Sequence, residues 1–283
     1  MPKQLFWNSH EICQIDGFWY FVEGTERIAA FRSGFEPRND DILLTSFTKT
    51  GTTWLMALCY NILNLDDDDE EDRLAKKNPH EVVPSLEINF LEDGVQRIYL
   101  PEAVRESGCR FVYVARNPKD TVVSMWHFYN KLLTRGGPKP FPLEGAVESF
   151  CKGAVPFGPF YEHVVGYWKE SKRRPEEVLF LKYEELCREP KEQVRKLASF
   201  MGASGDDDEV VVEKVLWRSS LGRLKELEVN KNGTWETARA PNAHFFRKGM
   251  VGDWKNYLTS QMAERIDQLT CLKLQGTGLS LDD

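Results

Sequence analysis

The chain has 283 residues, 41% hydrophobic and 12% aromatic, with a formal net charge of −7. That apolar content suits one large α/β domain or two small ones. Asp66 to Asp72 are all acidic and carry the whole net charge, so the balanced remainder offers no basic surface for nucleic acid.

The N-terminus, Met-Pro-Lys-Gln-Leu-Phe-Trp, does not read as a signal peptide, and no apolar run approaches the ~18 residues of a membrane span. The six cysteines are scattered, with no CxxC pair, as expected of free thiols in a reducing compartment. A cytoplasmic protein without a membrane partner is expected.

Phe18 to Phe21 are four consecutive aromatics. They cannot all face one core, so either an N-terminal arm packs with them or some line a pocket. Glu23 to Phe31 predicts a helix. Ile42 to Leu44 predicts a strand buried on both faces. Small residues follow at Thr50 to Thr53, and then Leu55, Leu58, Cys59 and Ile62 fall on one helical stripe. The acidic run predicts a solvated loop over about 64–78, followed by Pro79-His80 and the Val82 to Leu91 region.

Arg110 to Ala115 predicts a second buried strand, ended by Arg116-Asn117-Pro118, and Pro118 suits the first turn of a helix. That helix, about Lys119 to Leu133, carries Ser124 on its first exposed turn. A Gly/Pro loop at Gly136 to Pro142 leads to helices near Leu143 to Cys151 and Tyr161 to Ser171. Val178 to Leu181 predicts a third strand, leading to Tyr183. Further helices are expected at Lys191 to Met201, Asp208 to Trp217 and Ser219 to Leu227. Asn230 to Arg247 reads as a long loop, and a last helix as Ser260 to Leu274. No repeat or boundary interrupts this order, so 1–283 reads as one domain with an N-terminal arm and helix over 1–35. Strands alternating with helices predict an α/β fold, a parallel sheet flanked by helices on both faces. Lys49, Arg116 and Tyr183 each follow a strand, at the end where such sheets bind ligands.

A strand, a tight turn and a helix form a mould for an anion, because the turn and the helix N-terminus present N–H groups and partial positive charge. Lys49 adds a full charge. The Walker pattern requires a glycine upstream and Gly before Lys; here Lys49 precedes Gly51, which argues against a nucleotide kinase. A second stretch, Phe245 to Asn256, sets Arg247 and Lys248 beside Gly249. Together, Lys49-Thr-Gly-Thr-Thr-Trp54 and Arg247-Lys-Gly-x-x-Gly-Asp-Trp-Lys-Asn256 resemble the cytosolic sulfotransferases.

The resemblance runs from about Phe18 onward, and the plant members look most similar, through Asn78-Pro-His-Glu81, Ser107-Gly-Cys109, Gly166 to Ser171 and Leu227 to Lys231. It implies a P-loop-like sulfotransferase fold that binds 3′-phosphoadenosine 5′-phosphosulfate (PAPS), uses no metal, and sulfates a hydroxyl of a small phenolic, flavonoid or steroid-like acceptor. By this resemblance Lys49, Thr50, Gly51, Thr52 and Thr53 hold the 5′-phosphosulfate, with Lys49 also catalytic as it neutralises the bridging oxygen. Trp54 stacks on adenine, Tyr183 and Ser219 contact the adenine side, and Arg116, Ser124, Arg247, Lys248 and Gly249 grip the 3′-phosphate. Lys255 to Glu264 only loosely resembles the dimer segment of animal relatives, so a monomer or weak homodimer is expected. The resemblance fails at one point. The family's Thr-His-x-Pro segment, which carries the general base, has no counterpart, and the chain between Leu91 and Leu100 looks shortened. Thr48 also replaces a proline, and Leu221 replaces an aromatic over adenine. The alternative is a catalytically impaired relative that binds PAPS or its desulfated product, or a truncated isoform that lacks the general-base histidine segment.

Overall fold

The computed structural model describes residues 1–26, 38–64, 72–83, 108–133, 139–203, 208–235 and 240–282. Three parallel strands lie at its centre: β4 (Ile42–Ser46), β5 (Arg110–Ala115) and β6 (Val178–Lys182), in the order β4-β5-β6. Leu44 pairs with Val112, which pairs with Leu179. Side chains of β5 alternate between two layers. Phe111, Tyr113 and Ala115 point into one core, with Phe150, Phe160 and Tyr167, and Val112 and Val114 point into the other, with Leu55, Leu58, Leu197 and Val215. Helices cover both faces, as expected from the alternating pattern. The helices, in chain order, are α1 (Thr52–Leu63), α2 (Arg73–Lys76), α3 (Pro79–Val82), α4 (Pro118–Leu133), α5 (Leu143–Cys151), α6 (Phe160–Arg173), α7 (Tyr183–Arg188), α8 (Pro190–Met201), α9 (Glu209–Ser219), α10 (Leu221–Glu226), α11 (Glu228–Asn232) and α12 (Ser260–Leu274). No helix among the described residues is long and apolar enough to cross a membrane.

Several expectations are corrected. The N-terminal arm is a three-stranded antiparallel sheet: β1 (Lys3–Phe6), β2 (His10–Ile15) and β3 (Phe18–Phe21). Its strands are short and only partly apolar, so pairing rather than composition makes them. Of the helix expected at Glu23 to Phe31, the start is a 3-10 turn at Val22–Gly24 that passes into helical Thr25 and Glu26, and residues 27–31 lie outside those described. β4 is half-buried rather than covered on both faces, because among the described strands it pairs on one side only. The end of the acidic run is not solvated: Asp72 is buried, caps α2 by accepting from the Leu74 N–H at 3.0 Å, and pairs with Arg223. Residues 65–71 and 84–107 lie outside the described set, including the Leu91 to Leu100 segment.

The predicted loop at Asn230 to Arg247 contains the end of α11, a small pair of strands, β7 (Thr234–Trp235) and β8 (Ala240–Pro241), and a 3-10 turn at Asn242–Phe245. Buried asparagines hold it. Asn230 Nδ2 donates to the Leu224 carbonyl and Asn242 Nδ2 to the Val229 carbonyl, both at 2.9 Å. Such side-chain-to-backbone bonds leave no hydrophobic period to read.

Beneath the loop that follows β4, Tyr113 bonds His163 Nδ1 at 2.7 Å, and the His163 ring packs edge to face against Phe47, centroids 5.6 Å apart. Burial drives the His163 pKa down to about 3, so the ring stays neutral. Tyr113→Phe should lower stability by about 1–3 kcal/mol by leaving buried partners unsatisfied. Urea denaturation measures this, and an unchanged midpoint would show that the phenol is not part of the loop's support.

Candidate functional site

The turn between β4 and α1 is fixed from below. Thr50 is fully buried, and its Oγ1 donates to the carbonyls of Phe47 (2.6 Å) and Val114 (3.0 Å). Ser46 Oγ bonds Thr52 Oγ1 at 2.5 Å. Lys49 takes a left-handed backbone conformation, φ 67°, and Gly51 follows at φ 116°. A side chain at 51 would also collide, since a Cβ there would lie 2.7 Å from the Tyr183 ring. These constraints aim Lys49 into a cavity of about 370 Å³, within the usual range of ligand sites.

The cavity joins both halves of the predicted site. Lys49, Gly51, Thr52, Thr53, Trp54, Arg116, Ser124, Tyr183, Arg247 and Gly249 all line it. Ser124 is buried in the α4 face of this wall rather than on an exposed turn. Three predicted residues are not among the lining. Thr50 spends its side chain on the turn. Ser219 is fully buried and accepts from Asn61 Nδ2 at 2.9 Å, behind α1. Lys248 is exposed and its ammonium turns to Asp253 at 2.7 Å.

Two buried aspartates bring the distant segments together: Asp120, which the sequence already offered as an ion-pair partner for Arg116, and Asp253, which it left unassigned. Asp120 accepts from the Gly252 N–H (2.7 Å) and the Trp254 N–H (2.9 Å), tying the C-terminal loop to α4. Its carboxylate lies 3.7 Å from Arg116, whose guanidinium also donates to the Met250 carbonyl at 2.8 Å and stacks 4.4 Å from the Tyr183 ring. Asp253 holds Arg247 and Lys248. Burial works to raise the Asp253 carboxyl, but bonds from Lys248, Arg247 and Asn256 outweigh it and hold it well below the usual range. Tyr183 bridges the two loops, its ring against Gly51 and its hydroxyl donating to the Gly249 carbonyl at 2.9 Å.

Cations therefore face one another in this cavity. Burial, with Arg116, Arg247 and Lys131 nearby, lowers the Lys49 pKa to about 7. The buried Nε atoms of Arg116 and Arg247 have no hydrogen-bond partner. Such an arrangement is suited to anion binding. Most of the rest of the wall is apolar and aromatic, with Tyr20, Phe21, Met56, Phe128, Phe157, Trp235, Phe245 and Phe246 among its residues. The early aromatic cluster thus serves both readings, with Trp19 and Phe21 packing against the core and Tyr20 and Phe21 lining the cavity. Lys49 Nζ stands 4.1 Å from the Phe128 ring centre, at the border of the charged and apolar parts. Of the histidines, His80 lines the cavity; His127 packs beside Trp126 on α4, and His163 is in the core.

The fold and the site now have a family. Residues 39–278 match the sulfotransferase domain family. The chain belongs to the sulfotransferases. Over its whole length it is 41% identical to cytosolic sulfotransferase 16 of Arabidopsis thaliana, covering 90% of that protein. It is 40% identical to cytosolic sulfotransferase 17 of the same plant, with 98% of this chain and 87% of the relative covered. A solved Arabidopsis thaliana sulphotransferase structure superposes with a TM-score of 0.76 at 30% identity, over 99% of this chain and 92% of the other. Mouse sulfotransferase SULT7A1, solved in complex with PAP, superposes with a TM-score of 0.73 at 25% identity, over 94% of each chain.

Because the native Asp253 carboxyl is depressed, its stabilisation is present above the unfolded carboxyl's ~3.9 and is lost as pH falls below that. Asp253→Ala should cost about 3–5 kcal/mol at neutral pH by stranding two cations, and it should flatten the acid limb of stability. Thermal melts between pH 3 and 7 test this; parallel wild-type and variant curves would contradict it.

Proposed function

We propose that this sulfotransferase takes PAPS as donor and sulfates a hydroxyl of a small, largely apolar acceptor such as a phenol, flavonoid or steroid-like compound. The observation that carries the reading is that Lys49, Arg116 and Arg247, far apart in the chain, line one cavity, where two of them keep unpartnered buried Nε atoms. A nucleotide with phosphate at both ends of its ribose fits that distribution, and a solved relative is a complex with PAP.

In this reading Lys49, Gly51, Thr52, Thr53 and the α1 N-terminus hold the 5′ end, and Arg116, Ser124, Arg247 and Gly249 hold the 3′-phosphate. Trp54 and Tyr183, edge to face with centroids 5.6 Å apart, flank the base. When bound, PAPS supplies an activated sulfuryl group whose departure leaves negative charge on an oxygen. Lys49, charged once an anion has raised its pKa, neutralises that oxygen. Phe128, Phe245, Trp235 and Tyr20 exclude water and lay the acceptor hydroxyl in line. The relatives are named cytosolic, which supports a cytoplasmic location.

A second reading has its own support. Burial, with Lys49 nearby, lowers the His80 pKa to about 3, so the cavity-lining histidine is a weak base. Loss of a general base costs about 10²–10⁴-fold. The second reading is a chain that binds the nucleotide and turns over slowly or not at all.

A radiolabelled sulfate-transfer assay over a phenol and flavonoid panel separates the two. The first reading expects turnover that Lys49→Met lowers by about 10²–10³-fold; PAP binding without transfer to any acceptor selects the second.

Lys49 also sets a pH dependence. In the free protein it loses its proton above about pH 7, while a bound anion keeps it charged. PAP affinity should therefore fall as pH rises from 7 to 9, with proton uptake on binding. Calorimetry in two buffers at pH 8 detects that proton, and a flat profile in the wild-type protein would remove Lys49 from the anion site.

A further inference from the structure

His80 is used by neither the fold's hydrophobic layers nor the chemistry above. It is held with unusual care. Asn78 caps α3 in a reciprocal capping box, its Oδ1 accepting from the His80 N–H at 3.0 Å, and its Nδ2 donates to Asn230 Oδ1 at 2.8 Å. The imidazole stacks on Trp235 (centroids 4.8 Å) and leans on Phe245 (4.5 Å). Its Nε2 meets Thr53 Oγ1 at 2.9 Å, and its Nδ1 is buried with no partner.

That orphaned Nδ1 decides the tautomer. A buried N–H without an acceptor is the costlier orphan, and a bare lone pair the cheaper one. The proton therefore sits on Nε2, and His80 donates to Thr53. A threonine hydroxyl has one proton. Had Nε2 been the acceptor, that proton would be consumed by the imidazole. With Nε2 donating, it remains available, and Thr53 lines the cavity on the first turn of α1, beside Lys49.

We infer that His80 is a positioning residue, which fixes the Thr53 side chain by donating to its oxygen and so leaves the Thr53 hydroxyl proton for a phosphate or sulfate oxygen held by the Lys49–Thr53 loop. The inference rests on the nucleotide reading above. Without the imidazole, the Thr53 side chain is free to take other rotamers that carry the hydroxyl away from the loop.

The test is a double-mutant cycle read by calorimetric PAP binding. His80→Phe keeps an aromatic ring between Trp235 and Phe245 but removes the donor. His80→Phe and Thr53→Val should each weaken PAP binding about tenfold, and the double variant should be no weaker than Thr53→Val alone. His80→Gln, whose amide can donate to Thr53, should recover part of the loss at an unchanged thermal midpoint, which a purely structural role would not give. Losses that multiply to about a hundredfold in the double variant would overturn the inference, as would His80→Phe binding PAP like the wild type. Failure of the wild-type protein to bind PAP at all would instead remove the nucleotide reading, and this inference with it.

Discussion

The constraint on which the site depends is repulsion. Lys49, Arg116 and Arg247 share one partly buried cavity, and like charges in such surroundings oppose their own assembly. The protein offsets this with acids placed behind the cations rather than among them. Asp120 holds the C-terminal loop by two backbone N–H groups and sits behind Arg116. Asp253 is fully buried and neutralises the Arg247 side. Lys49 has no carboxylate in hydrogen-bond contact among the described residues and instead lies against Phe128 and Phe245. Lys49 is therefore the cation of the three that burial and its neighbours push toward the neutral form.

The sheet supplies the geometry. β4, β5 and β6 end side by side, which brings Lys49, Arg116 and Tyr183 to one edge. Thr50 ties the turn after β4 to the end of β5 through the Val114 carbonyl, and Phe47 packs on His163, which Tyr113 holds from below. The turn is thus attached to two neighbouring elements, so Lys49 can occupy a left-handed conformation that a free loop would leave.

What was legible beforehand follows the strength of local signals. Arg110–Ala115 and Ser260–Leu274 appear with the expected bounds, because a run of β-formers and a capped amphipathic stretch speak for themselves. The N-terminal sheet was not legible: its strands are four to six residues long and exist by pairing. The 230–247 region was read as a loop because asparagine side chains, not apolar periodicity, order it. Within the site, motif spacing located the anion loops but not the direction of each side chain. Arg247 and Lys248 are adjacent, yet one lines the cavity and the other faces outward. The i,i+4 spacing of Arg116 and Asp120 suggested their pairing, but neither the backbone N–H groups that Asp120 collects nor the role of Asp253 could be read, since a buried acid looks like any other acid in a string of letters.

Tyr183 carries a consequence for how the two loops move. One face of its ring blocks any side chain at Gly51, and its hydroxyl grips the Gly249 carbonyl, so a single phenol is keyed into the loops at both ends of the cavity. The two loops that border the cavity are thus joined through one side chain as well as through the sheet. A shift of that one ring therefore reaches both loops at once.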